Sequence, residues 1–123
     1  MKKQQNINWY KKPEEHNYPA AQSYLSLLLE IDNSKKIVKK LRMAKISEYK
    51  AKDIFRASSL SLLGISNSHV EKDVHKIKAG DKLSPILLVR NTTNSKVIIA
   101  DGYHRLCAVY AFDEDAIIPC KIV

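Results

Sequence analysis

Cysteine is scarce in this 123-residue chain, and the scarcity removes several functions at once. Its two cysteines, Cys107 and Cys120, form no Cys-x-x-Cys pair, and no Cys/His cluster has the spacing of metal ligands. That leaves no basis for a zinc module, and both thiols are expected to be buried as small apolar groups rather than paired or reactive. Long hydrophobic runs are missing too. None approaches the roughly 20 residues that a membrane span needs, so no membrane association is expected. The start, Met-Lys-Lys-Gln-Gln-Asn, is polar and lacks the apolar centre of a signal peptide, which points to a cytoplasmic protein. There is no internal repeat and no low-complexity linker, so residues 1–123 are expected to form a single domain.

Acidic residues are the next shortage: 13 against 21 Lys and Arg, for a net charge of +8. The excess is uneven. Residues 1–65 hold 13 basic against 6 acidic side chains, whereas residues 66–123 hold 8 against 7. A basic half invites a polyanion such as nucleic acid, but lysines on helices also form plain solvated faces. Aromatic residues are only 7% of the chain and do not interleave with the basic ones, so no base-stacking surface is marked.

What is present reads as helices first and a small mixed sheet second. Residues 1–18 form an irregular arm whose Trp9, Tyr10, Pro13 and Tyr18 are expected to tuck against the body. Ala20, Tyr24, Leu27, Leu28 and Ile31 follow helical spacing and predict one apolar face, with Pro19 in the first turn. Asp32, Asn33 or Ser34 would cap a second helix with an Ile37, Val38, Leu41, Ala44 stripe. Its other face carries Lys35, Lys36, Lys39, Lys40 and Arg42. Ser47 would cap a third helical piece through Tyr49, Ile54 and Phe55, and residues 58–68 around Gly64 read as a partly packed loop.

From His69 on the pattern changes. Val70, Val74 and Ile77 predict a helix stopped at Ala79-Gly80. Ile86-Leu87-Leu88-Val89 is a continuous apolar run typical of a strand covered on both faces. The turn cluster from Asn91 to Ser95 makes Val97-Ile98-Ile99 its hairpin partner. A helix from Gly102 to about Phe112 and a last strand over 117–123 complete the series. The fold class is therefore α+β: a small mixed sheet with packed helices (66–123), preceded by a mostly helical basic part (1–65).

One stretch carries chemistry. Ile98-Ile99-Ala100 runs into Asp101-Gly102-Tyr103-His104-Arg105, a strand that turns at Asp-Gly and restarts at once as a helix. The first turn of a helix leaves backbone N–H groups unpaired, and its dipole adds partial positive charge there. Free amides, a glycine and two cationic side chains suit a phosphate group, with Arg105 able to make a bidentate contact. Asp101 could cap the helix, or hold a Mg²⁺ ion that bridges phosphates. His104 could carry a proton near neutral pH or serve only to shape the turn. On the preceding helix His69, Lys72 and Lys76 share one side, as a phosphate contact or as ordinary solvated residues.

Three blocks in order resemble the ParB N-terminal/sulfiredoxin superfamily: Ser84-Pro85-Ile86-Leu87-Leu88-Val89, then Ile99-Ala100-Asp101-Gly102-Tyr103-His104-Arg105-Leu106-Cys107-Ala108, then Ile118-Pro119-Cys120-Lys121-Ile122-Val123. The resemblance spans about residues 69–123 and leaves the basic helical part unexplained. It implies a ParB/sulfiredoxin-like fold and nucleotide phosphates held by Gly102, Tyr103, His104 and Arg105, with Lys72 and Lys76 on the matching nucleotide side. ATP, ADP or CTP with Mg²⁺ would be the ligand.

The departures are as informative. Sulfiredoxins resemble the chain through Gly-Cys-His-Arg, but Tyr103 stands where their nucleophilic cysteine would be. A phenol with a reference pKa of about 10 does not replace a thiolate at neutral pH, so reductase activity is not expected. Of the acidic residue and two arginines that ParB proteins use, only Arg105 is clear, and no helix-turn-helix follows, so ParB-type clamping of DNA is not expected. Small kinases of the superfamily share the Asp-Gly-x-x-Arg turn but need a separate carboxylate base that the sequence does not mark. Catalysis is therefore left open, with His104 and Asp101 as candidates. Three readings stand: a nucleotide-binding protein, as a phosphotransferase or NTPase; a DNA-associated protein binding through its basic helices; and a non-catalytic regulatory module. The helical half could also meet its own copy in a homodimer.

Overall fold

The computed structural model describes residues 6–61, 64 and 67–123. The polar start and positions 62, 63, 65 and 66 of the Ser/Leu-rich loop lie outside them. Among the described residues the order is α1 (Asn17–Leu28), α2 (Ile31–Met43), β1 (Ser47–Lys50), α3 (Ala51–Ser58), α4 (Ser68–Ala79), β2 (Ile86–Asn91), β3 (Lys96–Asp101), α5 (Tyr103–Phe112) and β4 (Ile117–Ile122). The strands form one sheet in the order β1-β4-β2-β3. Pairing is mixed as expected: β2 runs antiparallel to β3 and parallel to β4, while β1 runs antiparallel to β4.

The apolar run of β2 explains the layering. Successive strand side chains point to opposite faces. Ile86 and Leu88 enter a core with Val70 and Ile77 of α4, Ile54 of α3 and Leu106 of α5. Leu87 and Val89 enter a second core with Tyr18, Ala21 and Leu25 of α1 and Val38 and Leu41 of α2. Helices thus cover both faces of the sheet, and a four-residue apolar run is what such a strand requires. Burying a Leu or Ile side chain contributes about 1.5–3 kcal/mol each, so these two cores dominate the stability.

Several expectations change. α1 is a helix, but Ala20, Tyr24, Leu27, Leu28 and Ile31 are all exposed, and Tyr18, Ala21 and Leu25 face the sheet instead. This helix is apolar on two sides, and spacing alone does not say which side meets a sheet. α2 starts earlier than its Asp-Asn-Ser signal: Glu30 is the N-cap, without a side-chain cap, and Asp32, Asn33 and Ser34 lie inside the helix. Its Val38 and Leu41 are buried and its lysines exposed, as read. Ser47 does not cap a helix; Ser47–Lys50 is strand β1, registered Ser47 to Cys120. The helix after it, α3, begins at Ala51. Finally, Tyr18 belongs to α1 rather than to the arm.

The arm is tied to the start of β2. Leu83 N–H donates to the Asn8 carbonyl and Tyr10 N–H to the Leu83 carbonyl, both at 2.9 Å. Trp9 packs against the first core, whereas Tyr10 stays exposed. Buried Ser84 donates its hydroxyl to Asn17 at the start of α1 and accepts from Glu14 N–H at 3.0 Å. At the other end of α2, buried Lys121 of β4 donates to the Arg42 carbonyl at 2.8 Å, a cation at a helix C-terminus. Both cysteines are buried and neither forms a disulfide, and burial pushes the Cys120 thiol up to about 11. No described helix is long and apolar enough to cross a membrane.

Candidate functional site

The corner after β3 is shaped by its glycine. Ladder register shifts between Leu87 and Leu88, which pair with Asp101 and Ile99, so Ala100 is a bulged residue just before the turn. Gly102 then takes φ +109°, where L side chains are strained, and becomes the N-cap of α5. A Cβ here would lie 2.9 Å from Arg105 Nη2 and 3.0 Å from Ile86 Cγ1. Glycine therefore allows both the turn and the position of Arg105 beneath it.

Asp101 does not cap α5, which has no side-chain cap. Its carboxylate turns instead to Arg105, accepting from Nη2 at 3.0 Å. That pairing corrects the capping role. One of the Asp101 oxygens is committed to the guanidinium. Arg105 Nη2 also reaches the Pro85 carbonyl at 3.4 Å, whereas its buried Nε has no hydrogen-bond partner among the described residues.

The helix that runs beside the corner is α4, which packs on α5. Asn67 caps it, accepting from His69 and Val70 N–H, and Gly80 ends it at φ +80°. His69, Lys72, Asp73 and Lys76 share one side at spacings of three and four. They meet Gly102, Tyr103, His104 and Arg105 around a cleft of about 360 Å³, which His16 at the start of α1 also lines. All six phosphate candidates of the sequence, Gly102 to Arg105 with Lys72 and Lys76, thus line one cleft, together with Asp101. The His69 and His104 rings lie 4.8 Å apart, and the Tyr103 ring is 5.7 Å from that of His104.

Two cleft residues escaped the sequence reading. Asp73 completes the α4 face that already included His69, Lys72 and Lys76, so helical spacing could have found it. Burial raises its pKa, against the opposing pull of Arg105, Lys76, His104 and Lys72. His16 arrives from the far end of the chain, and no local pattern signals it. Tyr103 donates its hydroxyl to the Ser61 carbonyl, holding the segment after α3 over the corner. Its pKa is raised by burial and by neighbouring Cys107, so the phenol stays protonated, in line with its unsuitability as a nucleophile.

A cleft of about 520 Å³ lies elsewhere, between Ile7 and Trp9 of the arm and the segment leading into β4. Glu48, Asp113 and Asp115 line it without a basic residue, so it does not compete for an anion. Comparison with protein-family models, curated proteins and solved structures finds no match to this chain.

Proposed function

We propose that the chain binds a nucleotide, such as ATP, ADP or CTP, through its phosphates at the Asp101–Arg105 corner. The observation that carries this reading is the convergence of Arg105, Lys72, Lys76, His69 and His104 on one cleft at the uncapped start of α5. Cations on two elements face the helix terminus, and Asp101 holds the guanidinium in a set orientation. The three blocks resembling the ParB/sulfiredoxin superfamily lend further support, and the same reading takes the protein as cytoplasmic. Should a phosphoryl group be transferred, Asp73, Asp101 and the cleft histidines, His104 among them, are the side chains beside it that could take a proton.

The test is a thermal-shift screen of ATP, ADP and CTP with and without Mg²⁺, repeated on Arg105→Ala. Ligand binding to the folded state raises the melting temperature by mass action, so a shift lost in Arg105→Ala supports the site. Absence of any shift at millimolar nucleotide in the wild type overturns it.

A second reading has its own observation. Lys35, Lys36, Lys39 and Lys40 of α2 are exposed and make no ion pair with a described residue. Such a face suits the phosphate backbone of a nucleic acid. DNA affinity falling steeply with salt, and lost on replacing these four lysines by Gln, would favour it.

A further inference from the structure

The phosphate cleft has a neighbour. A second cleft of about 380 Å³ shares Asp101, Gly102, Tyr103 and His104 with it and continues toward α1. Beyond the shared corner its walls are Ala20 and Tyr24 of α1, Leu60, and the β3 residues Ile99 and Ala100. The two ends differ in chemistry. One is rimmed by Lys72, Lys76 and Arg105, whereas the other offers no charged side chain beyond Asp101 and His104 of the shared corner.

α1 lines both. His16, Ala20 and Tyr24 recur every four residues, so a single face of the helix borders the charged cleft at His16 and the apolar one at Ala20 and Tyr24. This is the apolar stripe that the core does not use. Tyr24 is 42% exposed and Leu60 43%, and the Tyr24 hydroxyl has no partner among the described residues. A large ring held on a helix, open on one side and free to donate one hydrogen bond, is a stacking platform.

We infer that the apolar cleft receives the base of the nucleotide whose phosphates lie at the Gly102–Arg105 corner, with the Tyr24 ring as the stacking surface and Leu60 opposite. The occupant is fixed by continuity: two adjoining clefts, cationic then aromatic and aliphatic, match a ligand with phosphates at one end and a flat heteroaromatic ring at the other. Each cleft falls at the small end of the ~300–1,000 Å³ typical of ligand sites, so the ligand is expected to fill both. α1, which the three family-like blocks do not include, then becomes part of the binding site.

The inference rests on the phosphate reading, and pyrophosphate separates the two. Affinities of pyrophosphate, ADP and CDP are measured by calorimetry on the wild type, Tyr24→Ala, Tyr24→Phe and Arg105→Ala. Tyr24 is exposed, so its replacements are expected to fold. The expected result is that wild type binds a nucleoside diphosphate at least about tenfold more tightly than pyrophosphate, a ratio within the range of one stacked base. Tyr24→Ala removes that preference without changing pyrophosphate affinity, Tyr24→Phe keeps it, and Arg105→Ala weakens all three ligands. Equal binding of pyrophosphate and nucleotides, or a preference unchanged in Tyr24→Ala, overturns the base site while leaving the phosphate site standing. A change of oligomeric state in Tyr24→Ala, seen by sedimentation, also overturns it, because the face would then belong to a second copy. Failure of pyrophosphate itself to bind is failure of the phosphate reading.

Discussion

Asp101 at the end of β3 and Arg105 in the first turn of α5 hold each other: Oδ2 accepts from Nη2 at 3.0 Å, with side chains 18% and 17% exposed. An arginine fixed from below presents its remaining N–H groups in a set direction, which a flexible ammonium does not. Arg105→Lys keeps the charge and loses the fork. Its expected effect is a pyrophosphate affinity lowered about tenfold with the fold intact, measured by calorimetry beside a circular dichroism melt. Affinity unchanged in Arg105→Lys would mean that charge alone matters at the corner.

Gly102 permits that arrangement and should tolerate nothing larger. At φ +109° a Cβ is strained, and here it would also press on Arg105 Nη2 and Ile86. Gly102→Ala is expected to cost about 1–3 kcal/mol in denaturant unfolding. It should also weaken phosphate binding by displacing the guanidinium. A variant of wild-type stability would show that the turn relaxes freely.

Much of the sheet was legible because its signals are local. The β2 run, the Asn91–Ser95 turn and the Asp-Gly stop each lie within a few residues. β1 was not, because Ser47–Lys50 has no apolar alternation and is a strand only by virtue of the β4 edge, 73 positions away in the Ser47–Cys120 pair. Tertiary context decided there, as it did for the face of α1. The α1 result has a direct check. Leu25→Ala, at a fully buried position, should cost about 2–5 kcal/mol. Leu27→Ala, at a position 81% exposed, should stay within about 0.5 kcal/mol of wild type. The reverse order in urea unfolding would restore the face that spacing alone favoured.

The site was legible to a similar degree and for similar reasons. Gly102 to Arg105 are contiguous, and Lys72 and Lys76 keep helical spacing, so pattern finds them. That α4 lies against α5 and that His16 lines the cleft are facts of packing between distant segments. The partner of Asp101 was missed because Asp before a helix reads equally well as a cap, and only the geometry shows the carboxylate turned toward Arg105.

Both cysteines were expected to act as small apolar groups, and their burial gives that a chemical consequence. The thiolate is the reactive form, and Cys120 is pushed up to about 11 by desolvation. Iodoacetamide at pH 8 should leave Cys120 unmodified in the folded protein and alkylate it in denaturant, as read by mass spectrometry of the peptide. Rapid labelling under native conditions would contradict its burial.

Asp73 supplies the pH dependence. Burial raises its pKa in the folded state, so its ionisation is easier in the unfolded chain. Below the ordinary carboxylate value of about 3.9, both states hold the proton and Asp73 contributes no difference. As pH rises through that value toward the raised folded one, the unfolded state ionises first, and the folded state loses stability relative to it. Asp73→Asn, which removes the titration, should therefore melt higher than wild type at neutral pH, with the gap closing as pH falls below 4. The same substitution deletes a negative charge beside Lys72, Lys76 and Arg105, so pyrophosphate should bind more tightly to it at neutral pH. Melts across pH 3–8, paired with calorimetry at pH 7, check both effects. A variant that melts lower than wild type at neutral pH would instead assign the Asp73 carboxylate a net stabilising contact with the cations around it.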